Sequence, residues 1–406
     1  MSELHGFALW DRASHHFDMM RDYLNNRFEI QHIYKIEWPI EYVATNFNRL
    51  YGRDLRLNES RHLQVGQGPF HYFIVKDNLP NYRFHKNVSG KVEFVNCNII
   101  DAKYTLRDRT ADEFKYYVHS SNSVSEFNKD AKLILGSNFI LPNSKSLHII
   151  DKACNFPGAD GWTSVDEAFA FCSQIQKIVL LRGDKNNLEN ETEIDILCED
   201  PWVVAGILNA KKISRENHKY DFCLQLKDGQ TIKLDIRCIS DDYIPSVWAS
   251  HIYRNAIETS GLSIIDTQNQ YFLNLYHEFL HKTVSRDEKL IELIDQRNKL
   301  FFKPLPSQST QELVSELRGY LIDRNYYVTR PKDVDVDFNR KILTELLPAV
   351  TIEALDFRTR ASHKLKLGLS QIIKDTLRVS ILQQFWQLFR DTKLGLKIRK
   401  IKNRFL

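Results

Sequence analysis

The sequence has little of what marks a secreted or membrane-spanning protein. Its six cysteines are scattered and include no C-x-x-C pair, which argues against a disulfide framework or a cysteine-type zinc site and fits a reducing cytosol. No run of about 18 apolar residues occurs, so no segment is predicted to cross a bilayer. The first residues lack the basic start and apolar stretch of a secretory signal. A cytoplasmic protein is therefore predicted.

What the chain does contain is typical of a globular protein with more than one core. Of its 406 residues, 43% are apolar and 27% are charged, a balance found in folded rather than disordered chains. A chain of this length is expected to form two or three domains. Glycine and proline interrupt residues 136–163, and Pro304 and Pro306 mark a second break. These breaks predict domains at residues 1–150, 160–303 and 304–406.

Hydrophobic patterning predicts an α/β (α+β) fold, with an N-terminal α/β domain, a mixed-sheet core in the second domain and a helical C-terminal region. The predicted helices are Gly6–Phe28, Asn98–Thr110, Ser123–Leu135 with Ser121 or Asn122 as cap, Ser164–Ile175 with Ser164 as cap, Pro201–Ala210, Tyr271–Lys282, Lys289–Phe302, Gln311–Arg324, Arg340–Leu347 and Ser370–Arg390. The predicted strands are Glu29–Trp38, His71–Val75, Lys91–Val95, Lys177–Leu181, Glu193–Leu197 and Thr231–Ile236.

Three acidic side chains lie on two predicted strands of the second domain. Residues i and i+2 of a strand share a face, so Glu193 and Asp195 project together while Ile194 and Ile196 point into the core. Asp235 lies on another strand with the same alternation. Carboxylate oxygens from neighbouring strands suit a hard cation such as Mg²⁺ or Mn²⁺. The alternative is an ordinary sheet whose polar face is acidic.

A glycine and several basic residues flank these acids. Gly183 follows an apolar strand and begins a loop, where a backbone without a Cβ can approach a phosphate closely. Arg182 and Lys185 can neutralise phosphate charge. Arg237 shares a face with Asp235 and can either orient that carboxylate or bind a phosphate. Metals held by such acids bridge donor phosphates and activate an attacking oxygen, so the pattern indicates a catalytic site.

The strand with its glycine loop, the acidic-x-acidic pair Glu193-x-Asp195 and the later single acid Asp235 resemble the nucleotidyltransferase-fold superfamily. This chain departs from the superfamily at the loop, where Asp184 follows Gly183 instead of a second small residue. Four further strings are similar to uncharacterised bacterial nucleotidyltransferase-like proteins associated with surface-polysaccharide biosynthesis, and they are Val95–Lys103, His119–Asn122, Asp235–Tyr243 with Trp248, and Leu275–Lys282.

The resemblance covers roughly residues 90–285 and implies a nucleotidyltransferase-like catalytic domain at residues 160–303. It implies a metal-dependent transferase with a nucleotide-activated donor and a saccharide or lipid-linked acceptor, acting in bacterial cell-surface polysaccharide assembly. The unit transferred is a nucleotidyl group or a phospho-alditol or phospho-sugar. The implied metal ligands are Glu193, Asp195 and Asp235, the implied phosphate and nucleotide contacts are Arg182, Gly183, Lys185 and Arg237, and the implied substrate contacts are His277, His281 and Lys282.

Two other sets of residues have a functional interpretation as well as a structural one. His277-Glu-Phe-Leu-His281 is a literal H-E-x-x-H string with Glu278 as a potential base, which makes a zinc metalloprotease the less favoured alternative because no third ligand is evident. Lys103 and Arg107 lie one helical turn apart, and His119 follows at a turn where an anion can be held. For this second set, a solvated helix face with a helix cap is the favoured interpretation.

The end of the chain is basic, whereas the rest is acidic. Residues 361–406 contain eleven Lys or Arg and two Asp, a charge of +9 within a total of +4, so the other residues carry −5. Apolar residues recur at helical spacing within residues 370–406, which suits an interfacial helix on an anionic membrane. The alternatives are a helix packed on its own domain and, ranked lower, RNA binding; no specific nucleic acid is expected. A catalytically inactive module held at the inner face of the plasma membrane is therefore the second hypothesis for the whole chain.

Overall fold

The contacts within the chain define two compact units. Unit 1 contains the residues up to 239 together with residues 251–266, and unit 2 contains residues 240–250 and the residues from 267 onward. The structure, a computed structural model, describes residues 2–51, 61–86, 92–112, 114–136, 138–140, 145–182, 188–213, 220–259, 261–282, 287–301, 310–329, 331–333, 336 and 338–346.

The chain alternates strands and helices in its first two thirds and becomes helical afterwards. The strands are β1 (Glu3–Leu9), β2 (Glu29–Glu37), β3 (Phe70–Asp77), β4 (Tyr82–Lys86), β5 (Val92–Asn96), β6 (Val118–Ser120), β7 (Ile149–Ala153), β8 (Val179–Arg182), β9 (Glu193–Cys198), β10 (Lys211–Lys212), β11 (Asp221–Gln225), β12 (Thr231–Cys238), β13 (Ile257–Thr259) and β14 (Leu262–Ile264). The helices are α1 (Phe17–Arg27), α2 (Val43–Tyr51), α3 (Arg61–Val65), α4 (Cys97–Arg109), α5 (Val124–Leu135), α6 (Val165–Ser173), α7 (Pro201–Leu208), α8 (Ser246–Asn255), α9 (Thr267–Leu280), α10 (Asp287–Phe301), α11 (Thr310–Asp323) and α12 (Arg340–Leu346).

The N-terminal part of unit 1 is built on a sheet with the order β6-β1-β3-β2-β7 among the described strands. β1 is antiparallel to both β3 and β6, and β2 pairs antiparallel with β3 and parallel with β7. Helix α5 packs on β1, and α1 packs on β2. Burial is therefore nearly continuous along β1, β2 and β3, as expected for strands covered on both faces.

A second sheet of unit 1 carries the predicted carboxylates. Its order among the described strands is β10-β11-β12-β9-β8-β14-β13. β9 runs parallel to β12 and antiparallel to β8, so the sheet is mixed. Ile194 and Ile196 of β9, together with Leu234 and Ile236 of β12, are buried in the hydrophobic core of unit 1. Alternate residues therefore point to the opposite face, which is the polar one.

Helix α7 packs against β12, and both of its ends are secured by polar contacts. At the start, the Asp200 side chain accepts hydrogen bonds from the backbone N–H groups of Trp202 and Val203, and Pro201 occupies the first turn. At the other end, Asn209 adopts a left-handed conformation with φ of 55°. Arg49 donates from Nε to the carbonyl of Gly206 at 2.9 Å. Such capping satisfies backbone groups that a short helix leaves unpaired.

Unit 2 is an assembly of helices around a buried tryptophan. α9 contacts both α10 and α11. Trp248 is fully buried, and its ring lies 5.6 Å from that of Tyr276 and 5.5 Å from that of Tyr326. Its Nε1 donates to Oδ1 of Asn269 at 2.7 Å, which satisfies the one polar group of a large buried ring. Among the helices of the described residues, none has the length and apolar content needed to cross a membrane.

The α/β fold class predicted from the sequence is confirmed, and most of the predicted elements that fall on described residues lie within a few residues of the observed bounds. The helix predicted at Gly6–Phe28 is wrong in its first half, where β1 occupies Glu3–Leu9 and α1 begins only at Phe17. β1 is buried on both faces, so its residues do not alternate and periodicity cannot separate strand from helix. The helix predicted at Ser370–Arg390 lies outside the described residues.

The N-cap residues of two helices, α5 and α6, were also predicted from the sequence. Ser164 caps α6 as predicted, since its side chain accepts from the backbone N–H of Glu167. The predicted cap of α5 is wrong: Ser123, not Ser121 or Asn122, accepts from the backbone N–H of Glu126. Asn122, one residue before the cap, donates its own N–H to the Glu126 carboxylate at 2.6 Å.

The division into three domains stays a prediction. The strands of the first sheet come from residues 3–153, and those of the second sheet come from residues 179–264. The two sheets thus correspond closely to the first two predicted domains, although both belong to unit 1.

Candidate metal centre and active site

One row of charged side chains crosses four neighbouring strands of the second sheet. Asp221 on β11 pairs with Asp235 on β12, and Asp235 pairs in turn with Asp195 on β9. Arg182 on β8 stands opposite Asp195. Directly opposed residues on adjacent strands point to the same face. Three carboxylates and one guanidinium therefore lie side by side on the polar face.

The three carboxylates predicted to bind a metal converge in the structure. Glu193 lies two residues before Asp195 on β9, in the adjacent row, where it stands opposite Lys233. One carboxylate oxygen from each of Glu193, Asp195 and Asp235 can be chosen so that all three lie within 4.8 Å of one another. Glu193 is exposed, Asp195 is half-buried and Asp235 is buried, so the cluster opens from the sheet toward solvent. An all-oxygen donor set of this kind fits a hard divalent cation.

Arg237 holds the deepest of the three acids. Its Nε and Nη2 both donate to Oδ2 of Asp235, at 3.0 and 2.7 Å. The other oxygen, Oδ1, is buried and has no hydrogen-bond partner among the described residues. Leaving a buried acceptor unpaired is unfavourable. The guanidinium thus orients the carboxylate so that one oxygen stays available to a ligand.

The other two acids also have basic neighbours. Nη2 of Arg182 lies 3.0 Å from Oδ1 of Asp195. Nζ of Lys233 lies 2.7 Å from Oε1 of Glu193, and both of these side chains are 41% exposed. The Lys233 pair is therefore screened by water and weak. The more buried contacts of Arg182 and Arg237 contribute most to balancing the negative charge.

The environment of Asp235 is unfavourable to its ionised form. Burial, opposed in part by Arg237, raises the pKa of this carboxyl to about 6, and the neighbouring charges of Asp195 and Asp221 add to the increase. A divalent cation beside Oδ1 would reverse that balance because it favours the ionised acid. The unpaired oxygen, the shifted pKa and the oxygen donor set all fit a metal ion at this position.

Some of the predicted phosphate contacts cannot be placed. Gly183 and Lys185 lie outside the described residues. Arg182, which precedes Gly183 in the sequence, ends β8 and stands opposite Asp195. Arg237 is engaged with Asp235, and its orienting role is the one that the contacts support.

Sequence reasoning missed Asp221, the third acid of the row. β11 was not predicted, although Asp221–Gln225 alternates polar and apolar residues and is followed by Asp228-Gly229, a strong turn signal before β12. Reading that hairpin from the sequence would have placed Asp221 opposite Asp235. Asp221 contributes negative charge beside the cluster.

The three tentative substrate contacts from the helical segment belong to unit 2. Oη of Tyr243 lies 2.7 Å from Nδ1 of His277, and the Tyr243 ring lies 4.4 Å from that of His281. Nζ of Lys282 donates to the buried carboxylate of Glu278 at 2.9 Å. Among the described residues, the groupings with potential metal ligands include neither histidine. The zinc alternative thus gains no support from this part of the chain and stays a prediction.

The remaining tentative contacts gather around β6 of the first sheet. Nζ of Lys103 donates to the carbonyl of Ser120, and Nε of Arg107 donates to that of Val118. Nε2 of His119 lies 2.9 Å from the buried carboxylate of Asp130. These three basic residues are brought together by the fold, and each makes an intramolecular bond. Their role as an anion site stays a prediction.

Comparison with known proteins adds no family assignment. No protein-family model matches the chain, and no curated protein matches it by sequence. Among solved structures, the chain is similar to the nucleoside diphosphate kinase of Aquifex aeolicus, with 12% identity over 32% of this chain and 93% of that one and a TM-score of 0.24. A likeness at this TM-score carries no argument about fold or function.

Proposed function

We propose that unit 1 is the catalytic part of a metal-dependent transferase that uses a nucleotide-activated donor. The reaction is transfer of a nucleotidyl group, or of a phospho-alditol or phospho-sugar unit, to a saccharide or lipid-linked acceptor. The resemblance of the site residues to the nucleotidyltransferase-fold superfamily supplies the reaction class. A role in bacterial cell-surface polysaccharide assembly rests on the same resemblance.

One observation carries the proposal. Asp195 and Asp235 oppose each other on parallel strands, Glu193 converges on them, and the buried Oδ1 of Asp235 lacks a partner among the described residues. In this arrangement Glu193, Asp195 and Asp235 hold Mg²⁺ or Mn²⁺. When bound, the metal supplies charge neutralisation at donor phosphates and activation of the acceptor oxygen.

The protein's own residues set the geometry for that chemistry. Arg237 fixes the Asp235 carboxylate by two hydrogen bonds to one oxygen, which directs the other oxygen toward the cluster. Arg182 contacts Asp195 at the end of β8, where it is placed to bind a donor phosphate that approaches the acids. Gly183 and Lys185, which follow in the sequence, complete the proposed phosphate contacts.

The experiment that tests the proposal combines binding and turnover on the full chain. Thermal unfolding is measured with a panel of nucleoside triphosphates and nucleotide-activated sugars and alditols, each with Mn²⁺ or with a chelator. The supporting result is an increase in Tm that requires both donor and Mn²⁺, because the metal bridges the acids and the donor phosphates. Products then identify the reaction, since nucleotidyl transfer releases pyrophosphate or a phosphorylated leaving group and transfer of a phospho-unit releases a nucleoside monophosphate. Turnover that survives Asp195→Asn would contradict the catalytic assignment.

A non-catalytic binding module is the second candidate, and one observation favours it. Each acid of the cluster has a basic neighbour, namely Lys233, Arg182 and Arg237, so the charges are largely balanced without a metal. Such a module would recruit partners to the inner face of the plasma membrane through residues 370–406. Flotation of the full chain with anionic liposomes, compared with a chain ending before Ser370, tests the membrane part. Equal flotation of the two would exclude it.

A further inference from the structure

A second group of potential metal ligands lies in the segments that follow β1 and precede β6 in unit 1, and it differs chemically from the acidic cluster. It consists of His15, His16 and Asp112, with one ligand atom from each within 4.8 Å of the others. The donors are two imidazole nitrogens and one carboxylate oxygen, whereas the acidic cluster offers oxygen alone. Imidazole donors suit zinc and neighbouring transition metals.

The pairing of β1 with β6 brings these distant residues together. The two strands are antiparallel, and Leu9 at the end of β1 stands opposite Val118 at the start of β6. His15 follows the end of β1 by as many residues as Asp112 precedes the start of β6. The chain leaving one strand therefore runs beside the chain entering the other. A hydrogen bond from the backbone N–H of Trp10 to the carbonyl of Tyr117, 3.0 Å long, extends the pairing beyond the strands.

Local structure turns two consecutive histidines toward one carboxylate. Residues Asp11–His16 form a 3₁₀ helix anchored by the buried Ala13. His16 stands at the junction with α1 and has φ of −88° and ψ of 9°, outside both the helical and the extended regions. The two imidazole rings lie 4.0 Å apart between centroids. Asp112 is held in the turn after α4 by its backbone N–H, which donates to the carbonyl of Thr110 at 3.0 Å.

The separations between the ligand atoms are informative. Nε2 of His15 lies 3.2 Å from Oδ2 of Asp112, and Nε2 of His16 lies 3.3 Å from the same oxygen. Charge-assisted hydrogen bonds between nitrogen and oxygen are shorter, at about 2.7–2.9 Å. Tetrahedral zinc with bonds of about 2.0–2.1 Å places its ligand atoms about 3.3–3.4 Å apart. Both observed separations are compatible with the edges of such a tetrahedron, and the His16 contact also has the length of an ordinary hydrogen bond.

We propose that His15, His16 and Asp112 form a transition-metal site of the zinc-binding class. Two histidines and one carboxylate provide three ligands and leave at least one position for water or an exogenous ligand. The side chains of His15 and Asp112 are 60% and 51% exposed, so the ion enters from solvent without opening the core. The bound ion ties the segment after β1 to the segment before β6 and stabilises their pairing. The site is independent of the proposed transferase chemistry.

The test measures Zn²⁺ binding to the full chain after any affinity tag has been removed. Competition with a chromophoric chelator gives stoichiometry and affinity, and the visible absorption of bound Co²⁺ reports four-coordinate geometry. We expect one Zn²⁺ per chain at this site, with affinity lowered more than about tenfold in His16→Ala and in Asp112→Asn, since each removes a ligand. The matched controls are Asp108→Asn, at an exposed acid of α4 whose neighbour is Lys115, and His85→Ala on β4, both of which retain binding.

Two further comparisons separate this site from the acidic cluster. Asp195→Asn should leave Zn²⁺ affinity and the Co²⁺ spectrum unchanged, and His16→Ala should leave Mn²⁺ binding unchanged. Absence of Zn²⁺ binding by the unmodified chain overturns the proposal. Equal Zn²⁺ affinity and an equal Co²⁺ spectrum in the unmodified chain and in both ligand variants also overturn it. Tm values of the metal-free variants, expected to match that of the unmodified chain, verify that the substituted proteins are folded.

Discussion

Asp195 and Asp235 stand directly opposite each other on the parallel strands β9 and β12. Their side chains therefore share one face of the sheet, and repulsion between them adds to the effect of burial on Asp235. Like charges on opposed positions destabilise a sheet unless a cation lies nearby. Arg237 and Arg182 provide part of that positive charge. The Oδ1 atom of Asp235, which has no hydrogen-bond partner among the described residues, is available to a bound cation.

Neutralising Asp195 is expected to weaken metal binding without unfolding the protein. Asp195→Asn removes one anionic ligand of three, so we expect Mn²⁺ affinity to fall by at least about tenfold. Electron paramagnetic resonance of free Mn²⁺ measures the affinity, and Tm of the metal-free variant measures stability. The control is Glu258→Gln, an exposed acid on β13 of the same sheet, which should bind Mn²⁺ normally. Equal affinity in the two variants would contradict the proposed ligand set.

Removing Arg237 is expected to destabilise unit 1 strongly. Arg237→Ala leaves the buried Asp235 carboxylate without its two hydrogen bonds, and breaking a buried pair in this way costs about 3–5 kcal/mol. Lys233→Ala on the same strand breaks only the exposed contact with Glu193 and should cost less than about 1 kcal/mol. Urea unfolding of the metal-free variants measures both values.

The same Arg237 variant distinguishes a metal site from a purely structural ion pair. Because Mn²⁺ can replace the lost guanidinium charge beside Asp235, adding Mn²⁺ should recover part of the stability of Arg237→Ala. If the free energy of unfolding of Arg237→Ala is the same with Mn²⁺ as with a chelator, no cation binds beside Asp235.

The buried His5 predicts loss of stability in acid. Burial lowers the pKa of His5 below its usual value of 6.5, although Glu3 acts in the opposite direction. The unfolded chain then takes up a proton at a higher pH than the folded chain does, so this contribution is present above about pH 6.5 and is lost as the pH falls below it. Urea unfolding, measured at intervals of about one pH unit between about pH 8 and pH 5, gives the free energy of unfolding. This free energy should decrease less for His5→Gln than for the unmodified chain. The same substitution at the exposed His148 is the control, and a decrease equal to that of His5→Gln would contradict the assignment.

Two glycines with positive φ should respond differently to the same substitution. Gly136 has φ of +99° with open space around a new Cβ, whereas at Gly158, with φ of +69°, a Cβ would overlap the indole of Trp162. We expect Gly136→Ala to cost about 1–3 kcal/mol from backbone strain alone. Gly158→Ala should cost more, because Trp162 donates a 2.6 Å hydrogen bond to the carbonyl of Leu208 at the end of α7. Urea unfolding measures both changes in the free energy of unfolding. Equal changes would show that the Trp162 indole moves away from the new Cβ without loss of stability.

Local patterns were sufficient for the elements that carry the acidic cluster. Apolar and charged residues alternate along Glu193–Ile196 of β9 and Ile232–Arg237 of β12, so the two-residue period identified the strands and the side of each acid. Ser164 and Pro201 similarly marked helix starts, because capping depends on residues only a few positions apart. Short-range stereochemistry therefore predicted the α/β class and the common orientation of Glu193 and Asp195.

Tertiary structure decided which distant residues meet. The pairing of β11 with β12 adds Asp221 to the row of charges, and the pairing of β1 with β6 brings His15 and His16 to Asp112. Local hydrophobic periodicity predicts neither contact, since strand order and register arise from how the whole sheet buries its apolar faces. β1 itself was mistaken for a helix because burial on both faces removes the alternation that reveals a strand.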